Sequence, residues 1–203
     1  MPYSESQENP ADAIAAAVPR NLRYRPVDDQ KLVDGLGTPE GSPRRWYCTR
    51  FRSAAEVDIL EARWQIQRRQ SPTLLLTRAR QRLEKAMALE PNEASYPCAL
   101  AGVHRFQAEW NIRQNALEDA RRELSEGINM ARQAVAIDVN LAEGAGTIGV
   151  LSLLQAQIEP DPVRRSELAL AARQSIEKAL ALNKYLQREY AAPLTEARAF
   201  TSR

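Results

Sequence analysis

The sequence predicts an all-α protein, built as an α-solenoid of stacked antiparallel helix pairs. Three observations carry that expectation. Strand signals are almost absent, because β-branched residues do not cluster and no Asn-Gly hairpin dipeptide occurs. From Ser53 onward the chain turns into long, Ala-rich amphipathic stretches. A helical pattern also returns at intervals of 45–48 residues: "EKAMALEP" around Ala86, "RQAVAIDV" around Ala134 and "EKALALNK" around Ala179.

Taken in order, the elements differ in kind. Residues 1–46 are rich in Pro, Asp, Gly and Ser, and "DGLGTPEGSP" (34–43) reads as loop, so this part is expected to be a poorly packed segment or linker. A short helix over 10–18 could sit within it, ended by Pro19. The remainder, 47–203, is the expected repeat domain. Its first helix is predicted over 53–67, opened by a Ser53-x-x-Glu56 capping box, with Val57, Leu60, Ala62, Trp64 and Ile66 as its apolar residues. The second is predicted over 71–89, with Ser71 as cap and Pro72 at the first helical position, where a missing N–H costs nothing. Asp161-Pro162 opens the helix 161–182 in the same way.

The partner helices repeat as well. "AEVDILEARWQI" (55–66) matches "AGVHRFQAEWNI" (101–112) at an offset of 46, and "GVLSLLQAQ" (149–157) continues the series. Each unit is therefore a helix A followed by a helix B. Small residues at matching places let two helices approach closely. Trp64 and Trp110, on matching turns, are expected to pack between units, and His104, the only histidine, to fill a packing slot.

Composition excludes several functions. The 203-residue chain carries 28 basic and 26 acidic side chains for a net charge of +2, and the two signs are interleaved. Such a pattern reads as a solvated helical surface rather than a nucleic-acid-binding face. Cys48 and Cys98 are far apart, with no C-x-x-C and no metal-ligand spacing of His, so free thiols in a reducing compartment and no metal are expected. No apolar run approaches the roughly 18 residues of a membrane span. "AIAAAV" (13–18) follows an acidic start and makes a poor signal peptide, so a cytoplasmic location is expected. No phosphate-binding glycine loop or H-E-x-x-H occurs, and His104 has no nucleophile beside it in register. Glu118 and Asp119 belong to a charge-alternating segment. Neither enzymatic activity nor a cofactor is expected.

The repeat resembles the tetratricopeptide repeat. The first helix B matches its pattern at Ala79, Leu83, Ala86 and Pro91, the third helix A at Ile148-Gly149, and the last helix B at Ala172, Ile176 and Ala179. The closing Pro is lost at Val139 and Lys184, Gly127 stands where Ala is usual, and the period exceeds the usual 34 residues or so by about a dozen. The resemblance implies a right-handed solenoid whose helices A line a concave face that holds a peptide or partner protein. On this chain those positions are Thr49, Arg52, Glu56, Ile59 and Arg63, then Cys98, Gly102, Arg105 and Glu109, then Glu143, Gly146, Val150 and Gln157. Arg52, Glu56, Arg63, Cys98, Arg105, Glu109 and Glu143 are the candidate contacts. The Lys/Asn carboxylate clamp of some members is missing, since Glu56 stands where Asn is needed.

The ending is similar to the C-terminal repeat region of bacterial eukaryotic-like serine/threonine protein kinases. The matching residues are Ala181-Leu182-Asn183, Leu186-Gln187-Arg188-Glu189-Tyr190 and Leu194-Thr195-Glu196-Ala197-Arg198. That similarity implies the sensing or docking part of a signalling kinase, without the Gly-rich loop, H-R-D or D-F-G of a catalytic domain. The last helix (about 186–200) is expected to cap the final repeat. The alternative is a structural or oligomerising domain whose groove is filled by its own N-terminal segment or by a second copy.

Overall fold

The computed structural model describes residues 43–201, all of them in helices, turns and short connections with no strand. Seven α-helices follow one another: α1 (Pro43–Gln67), α2 (Thr73–Leu89), α3 (Ser95–Arg113), α4 (Leu117–Ile137), α5 (Ala142–Ile158), α6 (Pro162–Leu182) and α7 (Gln187–Thr201), with a 3₁₀ turn at Lys184–Leu186 before the last. The chain divides between Tyr47 and Cys48, and the helices concerned here belong to the unit Cys48–Arg203. The short helix expected over 10–18 and most of the expected linker lie outside the described residues.

Two helix starts differ from expectation. The first helix begins at Pro43, so Ser53 and Glu56 are interior and exposed rather than a capping box. The reason lies in the buried stripe Cys48, Phe51, Ala55, Asp58, Ala62 and Ile66, whose spacing of three and four continues upstream of Ser53. Val57 and Leu60 fall on the opposite side and are exposed. Ser71 does not cap α2: its hydroxyl donates to the Thr73 hydroxyl (3.2 Å), and the helix starts from the Pro72 carbonyl, which accepts from Leu76 N (3.0 Å). At α6 the expectation holds, with Asp161 Oδ1 accepting from Val163 N at 3.0 Å.

Helices α1 and α3 end alike. Arg69 and Asn115 both have φ of 59°, and the chain closes with Gln70 N to Gln65 O and Ala116 N to Asn111 O, each 2.9 Å. This left-handed closure satisfies the orphan carbonyls of the last turn and reverses the chain into the next helix.

Each helix from α2 onward packs on its successor, α3 also packs on α5, and α5 on α7. Small residues mark the contacts. Ala62, Ala108 and Ala156 on α1, α3 and α5 are fully buried, as are Ala86, Ala134 and Ala179 on α2, α4 and α6. Gly149 goes further: a Cβ there would stand 2.9 Å from the Ala172 carbonyl oxygen and 2.5 Å from Ile176 Cγ1, so α5 and α6 meet nearly backbone to backbone. Gly127 is explained too, because a Cβ would meet His104 Cβ at 3.0 Å and Leu151 Cδ2 at 3.1 Å. The core is correspondingly serial. One cluster joins α1, α2 and α3 through residues such as Ala62, Leu83 and Phe106; the next joins α3, α4 and α5 through Ala108, Leu124 and Leu151; a third joins α5, α6 and α7 through Val150, Ile176 and Tyr190.

Candidate functional site

The odd-numbered helices α1, α3 and α5 carry the residues singled out for binding; side-chain bonds join α1 to α3 and α5 to α7, and α3 packs on α5. Arg52 Nη1 on α1 donates to Ser95 Oγ on α3 (3.2 Å), Tyr190 Oη on α7 to the Glu143 carbonyl on α5 (3.5 Å), and Gln157 Nε2 on α5 to Glu196 Oε1 on α7 (2.7 Å). The candidate residues gather in two groups. Toward the helix N-termini stand Arg52 and Glu56, paired at 2.9 Å, with Cys98 and Glu143. Toward the C-termini stand Arg63, Arg105 and Glu109 around the ring of Phe106.

Cys98 occupies the floor of the first group. Burial pushes its thiol up to about 11, the Glu143 and Glu189 carboxylates push the same way, and a hydrogen bond with Thr147 and the Arg52 charge oppose them. A thiol held protonated is a poor nucleophile. Tyr190 is 2% exposed, and burial raises its phenol above the usual value, with the Glu189 charge adding to the rise. Gly146, a position on the expected groove, does not line an open one. A Cβ at Gly146 would stand 2.2 Å from Tyr190 Cζ, so the ring of α7 lies directly on the α5 backbone and closes this part of the face. Val150, another such position, is buried in the third core cluster. The ending resemblance picks out Tyr190 as a motif residue, but no sequence signal links it to Gly146.

A second polar layer lies inside the helix pairs. Asp58, His104 and Ser152 occupy equivalent places on α1, α3 and α5, and all are buried, at 2%, 7% and 7% exposure. Asp58 accepts from Arg78 and Arg82 of α2, and Arg82 also donates to the Ala54 carbonyl at 3.1 Å. His104 Nδ1 donates to Glu123 Oε2 of α4 (2.7 Å), which also accepts from Arg80 of α2 (3.0 Å). Burial alone would raise the Glu123 carboxyl, but the His104 hydrogen bond and the Arg80 charge outweigh it and hold it below the usual range. His104 does fill a buried slot, and it faces a carboxylate rather than a nucleophile. Sequence reasoning misses its partners, because Arg80 and Glu123 look like ordinary surface charges until the helices pack.

Trp110 packs on the first core cluster as expected, whereas Trp64 is half-buried with the Arg68 guanidinium 4.3 Å from its ring. Among the described residues no group of three His, Cys, Asp or Glu could hold a metal ion, and no helix is long and apolar enough to cross a membrane.

The fold so defined is an all-helical array of consecutive packed helices that carries the polar candidate residues on α1, α3 and α5. No protein-family model, no curated protein and no solved structure matches the chain.

Proposed function

We propose that this chain is a non-catalytic protein-interaction module: a right-handed, tetratricopeptide-like solenoid that binds a peptide or partner protein along its helices A. The observation that carries the reading is the succession of α1, α3, α5 and α7: Arg52 bonds to Ser95 between α1 and α3, α3 packs on α5, and Tyr190 and Gln157 bond to Glu143 and Glu196 between α5 and α7. Arg52, Glu56, Arg63, Cys98, Arg105, Glu109 and Glu143 are the contact residues, and α7 stands as a fourth helix A beside α5. No nucleic acid, metal or cofactor enters the reading. The ending motif supports a place in bacterial signalling beside a serine/threonine kinase, in the cytoplasm. The test is pull-down from the source cells with the intact chain and with an Arg63→Glu/Glu143→Lys variant. A partner held by the first and lost by the second supports the reading. Partners retained equally by both count against this face.

A second reading, assembly through the first helix, has its own observation. Val57 and Leu60 are 51% and 56% exposed, whereas their counterparts Val103 and Phe106 on α3 are buried, at 0% and 7%, against the preceding pair. The same surface that stacks one unit on the next is thus open on α1. Sedimentation across a hundred-fold concentration range tests it: a mass that rises, and that Leu60→Glu keeps monomeric, supports assembly, and a constant monomer mass refutes it.

A further inference from the structure

The second group of the polar face contains an arrangement that the helices alone do not require. Arg63 of α1 and Arg105 of α3 both stack on Phe106, with guanidinium carbons 5.4 Å and 4.4 Å from the ring centroid. The two cations therefore lie within about 10 Å of each other, comparable with the Debye length at physiological salt, and repel one another. Among the described residues no carboxylate lies within ion-pair distance of Arg63, whose guanidinium stands over the Phe106 ring. Arg105 is only loosely neutralised: its Nε stands 3.6 Å from Glu109 Oε1, and that buried Nε has no hydrogen-bond partner. Stacking on an aromatic face also leaves the edge of a guanidinium, with its fork of N–H donors, directed outward for an anion.

We infer that the Arg63–Phe106–Arg105 platform binds a carboxylate side chain of an acidic peptide, which bridges the two guanidinium groups. This deepens the interaction-module reading and rests on it. The carboxylate would lie close to both cations and accept from the N–H groups at their outward edges. The aliphatic part of the same residue would lie near the edge of Phe106. Arg63 is exposed and so can turn onto a ligand, whereas Arg105, with its side chain 16% exposed, is already held in place.

The test is selection from a random dodecapeptide library displayed on phage, with the intact chain as bait. Recovered peptides are expected to be enriched in Asp and Glu, and their affinity should fall about ten-fold on Arg63→Gln, an ordinary magnitude for one charge-assisted contact. Arg122→Gln, on the exposed side of α4, should leave affinity unchanged, and thermal melting of both variants should match that of the parent chain. Recovered peptides without acidic enrichment, or bound equally by Arg63→Gln, would overturn the carboxylate platform while leaving the peptide-binding reading intact. A selection that yields no binder would overturn both.

Discussion

Gly146 provides the sharpest test of how α7 is held. Replacing it by alanine adds one methyl group and removes the conformational freedom of glycine, which in a helix interior favours the folded state by about 1 kcal/mol. At this site the methyl has no room: its carbon would lie 2.2 Å from Tyr190 Cζ and 2.5 Å from both Cε2 and Oη. Ordinary contact needs more than 3.4 Å, so the ring must retreat by about 1 Å or leave. Tyr190 is 2% exposed and belongs to the cluster with Val150, Ile176 and Leu194, so a ring that leaves gives up that packing. Expelling a buried aromatic side chain costs about 3–5 kcal/mol, so after the helix gain Gly146→Ala should lose roughly 2–4 kcal/mol. Gly102 is the internal control, since a Cβ there meets nothing within 4 Å, and Gly102→Ala should gain about 1 kcal/mol. Urea unfolding gives the two signs, and amide exchange over Gln187–Thr201 locates the loss. Adding Tyr190→Leu, which shortens the clashing side chain, to Gly146→Ala should restore part of the stability. If Gly146→Ala proves as stabilising as Gly102→Ala, Tyr190 is not seated on α5 and the account of how α7 covers Gly146 fails.

Four further outcomes are expected. Asp58→Ala, which takes the carboxylate away from the buried Arg82 guanidinium, should cost about 3–5 kcal/mol in urea unfolding, and Asp58→Leu combined with Arg82→Met should cost less. Glu123 has a lowered folded pKa, so its stabilisation is present above the ordinary carboxylate value and lost as pH falls through the folded one. The stability gap between the parent chain and Glu123→Gln should accordingly close in acid. With its thiol raised to about 11, Cys98 should react slowly with iodoacetamide at neutral pH, and Glu143→Gln should move its reaction profile to lower pH. Arg69→Gly should stabilise by about 0.5–1 kcal/mol in thermal melting, because Arg69 sits at φ 59° and glycine adopts that conformation without strain.

The helical class and the pairing of helices were legible because packing constraints act residue by residue. Ala62, Ala108 and Ala156 must be small wherever one helix crosses another, and that requirement survives in the sequence as a period. What escaped depends on partners distant in the chain. The start of α1 was obscured because Ser53 and Glu56 imitate a cap while Cys48 and Phe51 upstream still follow the buried stripe. Asp58 lay hidden in the first helix as an apparent surface acid, since its burial is made tolerable only by Arg78 and Arg82 some twenty residues on. The candidate residues on α1 and α3 were assigned to one face by the resemblance to the tetratricopeptide repeat. The closing of that face at Gly146 was not legible, because a glycine in a helix A signals close approach without naming the ring that approaches.

The composition of α5 has a consequence for how the chain is made. Glu143 is its only charged residue, and most of its side chains are covered by neighbours on every side, two of which, α6 and α7, come later in the chain. Ile158, the end of α5, is joined to the chain 43 residues before Thr201. At about 5–20 residues per second the two are separated by roughly 2–9 s of synthesis. A chain released before α6 is made would leave a seventeen-residue, nearly uncharged segment with only α3 and α4 to shelter it. Chains truncated after Ile158 are thus expected to aggregate more readily than the intact one.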